Sequence, residues 1–107
     1  MTIQKKRQRV ENVIARIRFS HKDQVYLYTA GCCYEFYLIL REIFGPQVTA
    51  YYSNLEGHVY SKIYDRYWDI RGSCDNPPRD IRKMSKRLHK DAPGWSKRDF
   101  RTLGMAR

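Results

Sequence analysis

The chain has 107 residues, which is enough for one domain with a core of modest size. It carries 21 Lys and Arg against 11 Asp and Glu, and this net charge of +10 favours anionic partners such as nucleic acid, ribosomes, acidic proteins or an anionic membrane surface. Hydrophobic residues make up 42% and aromatic residues 14%, so the composition excludes a disordered chain. No apolar run approaches the ~20 residues of a transmembrane segment, and the N-terminal segment lacks the features of a secretory signal.

Two helices are predicted in the first half of the chain. Residues 2–19 form an amphipathic helix capped by Thr2, whose apolar residues recur at helical spacing: Val10, Val13, Ile14 and Ile17. Residues 20–31 are predicted to be a loop. Residues 32–44 form the central helix, with Phe36, Ile39, Leu40 and Ile43 on its apolar side, and it ends at Gly45-Pro46.

After the central helix, the hydrophobic period changes from 3.6 to 2. Residues 47–53, 58–64 and 66–71 are rich in β-branched and aromatic side chains and are predicted strands. The second and third strands are close enough to form a hairpin with Tyr64-Asp65 as its turn, although this pair lacks the expected glycine.

The C-terminal part is strongly basic. A third helix is predicted from Pro77 or Pro78 to residue 90, and a short last helix after Ser96 holds Phe100 and Leu103. These elements predict an α+β fold: a central helix on a small three-stranded antiparallel sheet, flanked by basic helices. We expect a single domain, 1–107, with a core of about residues 20–72 and basic helical ends at 1–19 and 77–107.

The basic residues of the two ends form a candidate polyanion-binding set. They are interpreted either as solvated helix faces or as phosphate-binding surfaces for nucleic acid or another polyanion. The candidates are Lys5, Lys6, Arg7, Arg9, Arg82, Lys83, Lys86 and Arg87.

The three cysteines are unusual because Cys32 and Cys33 are adjacent and follow Gly31 at the start of the central helix. An odd number with two neighbours predicts free thiols in a reducing compartment, hence the cytoplasm. A helix N-terminus stabilises a thiolate, so Cys33 is a candidate nucleophile. The alternative is a small buried side chain packed under the sheet.

A nucleophilic thiol needs a base and a group that orients this base. If Tyr64-Asp65 is a two-residue turn, Tyr60 faces Asp69, and His58 and Asp69 become diagonal neighbours on one face of the hairpin. The sequence therefore predicts His58 as base and Asp69 as orienting acid. The alternatives are a hydrogen bond from His58 to a tyrosine, and an ion pair of Asp69 with Arg66 or Arg71.

The order Gly31-x-Cys33-Tyr34, a helix, His58 and then Asp69 resembles the core of papain-like and transglutaminase-like cysteine enzymes over residues 29–72. The resemblance implies a Cys-His-Asp triad that acts on a peptide, isopeptide or side-chain amide of a protein or peptide substrate. Papain-like enzymes supply an oxyanion donor from a glutamine about six residues before the cysteine. Leu27 is near that position here, and Gln24, nine residues before Cys33, is the candidate.

No cofactor is required for this chemistry. A zinc site of Cys32, Cys33, His58 and Cys74 is disfavoured, because the chain has no Cys-x-x-Cys spacing. The sequence is therefore compatible with two functions. The first is a minimal cysteine hydrolase or acyltransferase. The second is a basic binding or inhibitor protein that uses the same fold without catalysis, with a profile expected of a virus or mobile element.

Overall fold

The computed structural model describes residues 1–29 and 31–93, and it confirms the α+β class. Within these residues, four helices accompany a single antiparallel sheet of strand order β4-β3-β2-β1-β5. The helices and strands are α1 (Ile3–Phe19), α2 (Gln24–Thr29), α3 (Cys33–Phe44), β1 (Thr49–Ser53), β2 (His58–Ile63), β3 (Arg66–Asp69), β4 (Gly72–Cys74), β5 (Arg82–Lys83) and α4 (Lys86–Asp91). The sheet has five strands where three were predicted, and the predicted last helix lies outside the described residues.

Helix α1 begins as its sequence predicts. The Thr2 hydroxyl accepts a hydrogen bond from the backbone N–H of Lys5 at 3.2 Å, which satisfies one of the free donors at the helix start. Val10 and Ile14 are fully buried, and Val13 and Ile17 pack against the core. The predicted amphipathic helix therefore contributes directly to the core.

The predicted loop 20–31 contains helix α2, so this part of the prediction was wrong. The helix is held by local hydrogen bonds, including Thr29 Oγ1 to the carbonyl of Val25 at 2.7 Å. Val25, Tyr26 and Leu27 are exposed. Because α2 is short and buries no complete apolar face, it gives no periodic signal in the sequence.

Helix α3 packs on the sheet through Phe36, Tyr37, Leu40 and Phe44, all of which are buried. Ile43 was predicted on the apolar side but is exposed. The helix ends at Gly45, whose φ of 85° is rarely adopted by residues other than glycine.

The hairpin of β2 and β3 has the predicted two-residue turn. Ile63 pairs with Arg66, Lys62 with Tyr67 and Ser61 with Trp68. Tyr64 adopts φ of 59° at the first turn position, where a glycine is usual. This register places His58 and Asp69 on the same face, as predicted.

The predicted third helix is largely wrong, because its first half pairs with the sheet. Arg82 and Lys83 form β5 against Tyr52 and Tyr51 of β1, and the Met84 N–H donates to the Ala50 carbonyl at 2.9 Å. These sheet contacts override the local helical pattern. Only α4 remains helical, capped by the Ser85 hydroxyl.

The hydrophobic core extends beyond residues 20–72. It includes Val10 and Ile14 of α1, and also Met84, Leu88 and Ala92 near the end of the described chain. No helix in residues 1–29 or 31–93 is long and apolar enough to cross a membrane.

Candidate active site

Cys33 is the first residue of α3, and its sulfur lies against the start of β2. The backbone N–H of Val59 donates to Cys33 Sγ at 3.3 Å. The side chain is buried, with 8% of the residue exposed. Val59 directly follows His58, so this contact brings the thiol to the histidine.

His58 and Asp69 form a buried pair on the adjoining strands. His58 Nε2 lies 3.0 Å from Asp69 Oδ2, and each side chain is only 5% exposed. Burial alone would lower the pKa of His58, but hydrogen bonds to Asp69 and to Cys33 outweigh burial and raise this pKa to about 9. His58 is therefore an imidazolium at neutral pH.

Asp69 is held as a carboxylate by two cationic partners. Burial would raise its pKa, but hydrogen bonds from His58 and Arg71 lower it to about 2. The Arg71 guanidinium donates to Asp69 Oδ2 through Nε at 2.9 Å and also through Nη2, and the Arg71 backbone N–H donates to Oδ1 at 2.8 Å. The alternative interpretation of Asp69 as an ion-pair partner of Arg71 is thus also realised.

Tyr60 forms one wall of the histidine site. Its ring meets the His58 ring edge-on, with centroids 4.8 Å apart and planes at 88°. The Tyr60 hydroxyl donates to Glu56, and burial together with this carboxylate raises the pKa of Tyr60. The sequence left open a hydrogen bond between His58 and a tyrosine. The contact between His58 and Tyr60 is instead an edge-on contact of their rings.

The turn before His58 is held by hydrogen bonds that involve Ser53 of β1 and Asp80. Ser53, which pairs with His58, is fully buried, and its hydroxyl donates to Asp80 Oδ1 at 2.7 Å. Asp80 Oδ2 accepts from the Leu55 N–H at 2.9 Å, and Ser53 Oγ accepts from the Glu56 N–H at 3.1 Å. These bonds fix where β2 begins, and therefore where the imidazole lies.

This arrangement has the parts of a nucleophilic site. Asp69 engages Nε2 of His58, which leaves Nδ1 as the nitrogen that can exchange a proton with the Cys33 thiol. A cationic imidazole beside a cysteine favours the thiolate, which is the nucleophilic form.

Gln24 lies at the first position of α2, away from the helix end that leads to Cys33. Its amide Nε2 donates to Ser20 Oγ at 3.0 Å, so Gln24 would have to leave this bond to reach an oxyanion. The first N–H groups of a helix have no acceptor within that helix. The backbone N–H of Cys33, the first residue of α3, belongs to this set.

The basic candidates of α1 are mostly engaged in contacts within the fold. Arg7 forms an ion pair with Asp65, and Lys6 lies over the Tyr64 ring at 5.5 Å. Arg9 lies over the Phe44 ring at 5.3 Å, whereas Lys5 is exposed. Near the other edge of the sheet, four candidates are exposed: Arg82, Lys83, Lys86 and Arg87.

The three cysteines are free thiols, and Cys32 and Cys74 are half-buried. Burial raises the pKa of both, with Glu35 adding to the effect at Cys32 and Asp69 at Cys74. Within the described part of the chain, no three His, Cys, Asp or Glu side chains are grouped so as to hold a metal ion.

Sequence reasoning missed the part that Glu56, Asp80 and Ser53 play around His58. The strand alternation places Ser53 opposite His58 only when the β1–β2 register is known. Glu56 and Asp80 lie in turns and loops, where no period predicts side-chain direction.

The chain belongs to the Phage YunG-like protein family, whose model matches residues 10–106. This match spans all three residues of the candidate triad. No curated protein and no solved structure matches the chain.

Proposed function

We propose that this protein is a small cysteine hydrolase or acyltransferase of papain-like or transglutaminase-like type, acting on a peptide, isopeptide or side-chain amide. Cys33 is the nucleophile, His58 the acid and base, and Asp69 the residue that orients the imidazole. The proposal depends on one observation: His58 contacts Asp69 through Nε2 and also forms a hydrogen bond with the Cys33 side chain, in a buried site at a helix N-terminus.

The reaction proceeds in two stages. The Cys33 thiolate attacks the carbonyl carbon of the amide, while the backbone N–H at the start of α3 donates to the oxygen that gains charge. The C–N bond breaks, the amine leaves with a proton from the His58 imidazolium, and a thioester remains. Water or a second amine then attacks the thioester, His58 takes its proton, and the thiolate is released.

Selective labelling tests the reactive thiol. Iodoacetamide is reacted with the folded protein across a pH series, and the modified cysteines are identified by peptide mapping. The thiolate is the reactive form, so an activated Cys33 should react faster at pH 7 than a free cysteine. We expect Cys33 to be labelled before Cys32 and Cys74.

Two histidine variants make this test specific. His58→Ala should slow labelling of Cys33 at pH 7, whereas His21→Ala, which changes an exposed histidine, should leave the rate unchanged. Equal and slow labelling of all three cysteines, or equal effects of the two variants, contradicts the proposed nucleophile.

A second candidate is a basic binding or inhibitor protein that uses the same fold without catalysis. It is favoured by the burial of Cys33, whose sulfur accepts a backbone N–H as a packed thiol does. Labelling of Cys33 only after unfolding would support this alternative. The candidate polyanion then binds the exposed basic residues at β5 and α4.

Binding of a short RNA or DNA duplex tests the polyanion interpretation. Because counterions are released from the nucleic acid, affinity should fall steeply with salt. Changing Lys83 and Arg87 to Ala should weaken binding further, since both are exposed, whereas changing Arg7, which is paired with Asp65, should have a smaller effect. If the affinity depends neither on salt nor on these substitutions, the positive charge serves solubility alone.

The family name supports a phage or mobile-element origin. Because free thiols persist in a reducing compartment, we propose a cytoplasmic location. Fractionation of cells that express it, followed by thiol labelling without reductant, tests this location.

A further inference from the structure

A concave surface lies between α3 and α4, and Tyr34, which directly follows the candidate nucleophile, lines it. It encloses about 320 Å³, at the lower end of the range for small-ligand pockets. Its walls come from one side of α3 and from the basic face of α4: Tyr34, Tyr37, Leu38, Arg41, Lys86 and His89.

The floor of this α3–α4 pocket is rigid and aromatic. The Tyr34 hydroxyl lies 2.9 Å from His89 Nδ1, and the Tyr34, Tyr37 and His89 rings contact one another with centroids 5.5 to 5.7 Å apart. Tyr34 and Tyr37 are buried, whereas Leu38 is 42% exposed. A ligand with an apolar body can therefore contact preformed apolar walls.

The rim of the pocket is cationic. Arg41 is anchored through Nη1, which donates to Tyr37 Oη at 3.1 Å and to the Val48 carbonyl at 3.3 Å. A guanidinium has five N–H donors in a fixed plane, so its remaining donors are held in a set direction. Lys86 adds a second positive charge, and none of the described residues that line the pocket is acidic.

His89 adds an imidazole to the lining. Burial, with the nearby Arg41 charge, lowers the pKa of His89, which favours the neutral ring. When the Tyr34 hydroxyl donates to Nδ1, the proton of the neutral ring is on Nε2. The pocket therefore combines two cations with an apolar wall, which matches an oxyanion carried on an apolar stem, and in this tautomer His89 adds an N–H donor.

We infer that the α3–α4 pocket is a substrate subsite that binds a carboxylate-bearing side chain, so that the enzyme selects acidic peptide segments. This inference depends on the proposed function, which supplies a peptide substrate. Tyr34 follows Cys33 directly in the chain, and an extended peptide advances about 3.3 Å per residue. A side chain a few residues from the scissile amide can thus reach the pocket.

Binding is measured with the full-length Cys33→Ala chain, so that no turnover occurs. The probes are two short capped peptides that differ only in Glu against Gln, and the signal is the imidazole NMR resonance of His89, assigned with a His89→Gln variant. The Glu peptide should shift this resonance and raise the pKa of His89, because a bound carboxylate stabilises the imidazolium. The Gln peptide should leave the resonance in place.

Two lysines of α4 provide matched variants. Lys86 lines the pocket, whereas Lys90 is exposed on the same helix and does not line it. Lys86→Ala should weaken binding of the Glu peptide by about threefold to tenfold, and Lys90→Ala should have no effect beyond general screening. Equal losses for the two variants, or equal binding of the two peptides, overturn the inference.

A single-stranded oligonucleotide is the third probe. If it shifts the His89 resonance while the Glu peptide does not, the pocket binds phosphate and the inference is overturned. Cys33 labelling is measured separately on the wild-type chain. An unreactive Cys33 with intact Glu-peptide binding would refute the catalytic proposal and leave an acidic-peptide binding site, whereas a reactive Cys33 without Glu-peptide binding would refute only the subsite.

Discussion

Asp69→Asn isolates the electrostatic part of the site, because the amide keeps the shape of the side chain and removes its charge. In the wild-type protein, the pKa of His58 stands at about 9, compared with an ordinary value of 6.5. This difference of about 2.5 units corresponds to about 3 kcal/mol in favour of the imidazolium, shared between Asp69 and Cys33 and net of the cost of burial. Without the carboxylate, burial and the Arg71 cation both oppose protonation.

We therefore expect the pKa of His58 to fall clearly below 9 in Asp69→Asn, where only the contact with Cys33 is left to favour the imidazolium. The measurement is an NMR titration of the His58 Cε1–H resonance in both proteins. Asp23→Asn is the matched control, because Asp23 is exposed and lies before α2, outside the sheet that carries His58 and Asp69. This control should leave the His58 titration unchanged.

The same substitution should slow Cys33 alkylation at pH 7, because a neutral imidazole no longer stabilises the thiolate. The reasoning is refuted if His58 titrates near 6.5 in the wild-type protein, or if Asp69→Asn and Asp23→Asn give the same titration. Circular dichroism establishes that the variant is folded before either result is interpreted.

Three further outcomes concern stability. Because the pKa of His58 is raised in the folded protein, protonation of His58 stabilises the fold fully below pH 6.5, and this stabilisation is lost as the pH rises through 9. The melting temperature should therefore fall between these pH values, and the fall should be smaller in His58→Gln. Leu40→Ala, at a fully buried site, should cost about 2–5 kcal/mol in urea unfolding, whereas Ile43→Ala, at an exposed site of the same helix, should cost far less. Gly72→Ala should lower the free energy of unfolding by about 1–3 kcal/mol, and by more than Gly45→Ala does. Both glycines have a positive φ, but only at Gly72 would the new Cβ meet a glutamate carboxylate of α1, at 3.3 Å.

The sequence predicts best where one strong pattern acts alone. Helix α3 and the β2–β3 hairpin each carry an unbroken period, and the two-residue turn at Tyr64 leaves only one register. That register is what places His58 and Asp69 on one face, so the geometry of this pair could be derived without coordinates. Its chemical role stays a prediction.

The prediction fails where tertiary contacts decide the local structure. Residues 82–83 have a helical neighbourhood, but an open edge of β1 accepts them as a strand, and Met84 is buried there. Helix α2 is too short to show a period. Arg71 was considered only as a competitor of His58 for Asp69, whereas the carboxylate binds both.

The turn of the β2–β3 hairpin affects the candidate site because it sets the register of the two strands. A slip of one residue between β2 and β3 would move His58 and Asp69 to opposite faces. Tyr64 holds a positive φ that costs a non-glycine residue about 1–2 kcal/mol, so the turn needs support from outside. Helix α1 supplies it, since Lys6 covers the Tyr64 ring and Arg7 pairs with Asp65. Two residues predicted to meet a polyanion thus hold the turn whose register brings the base to its acid.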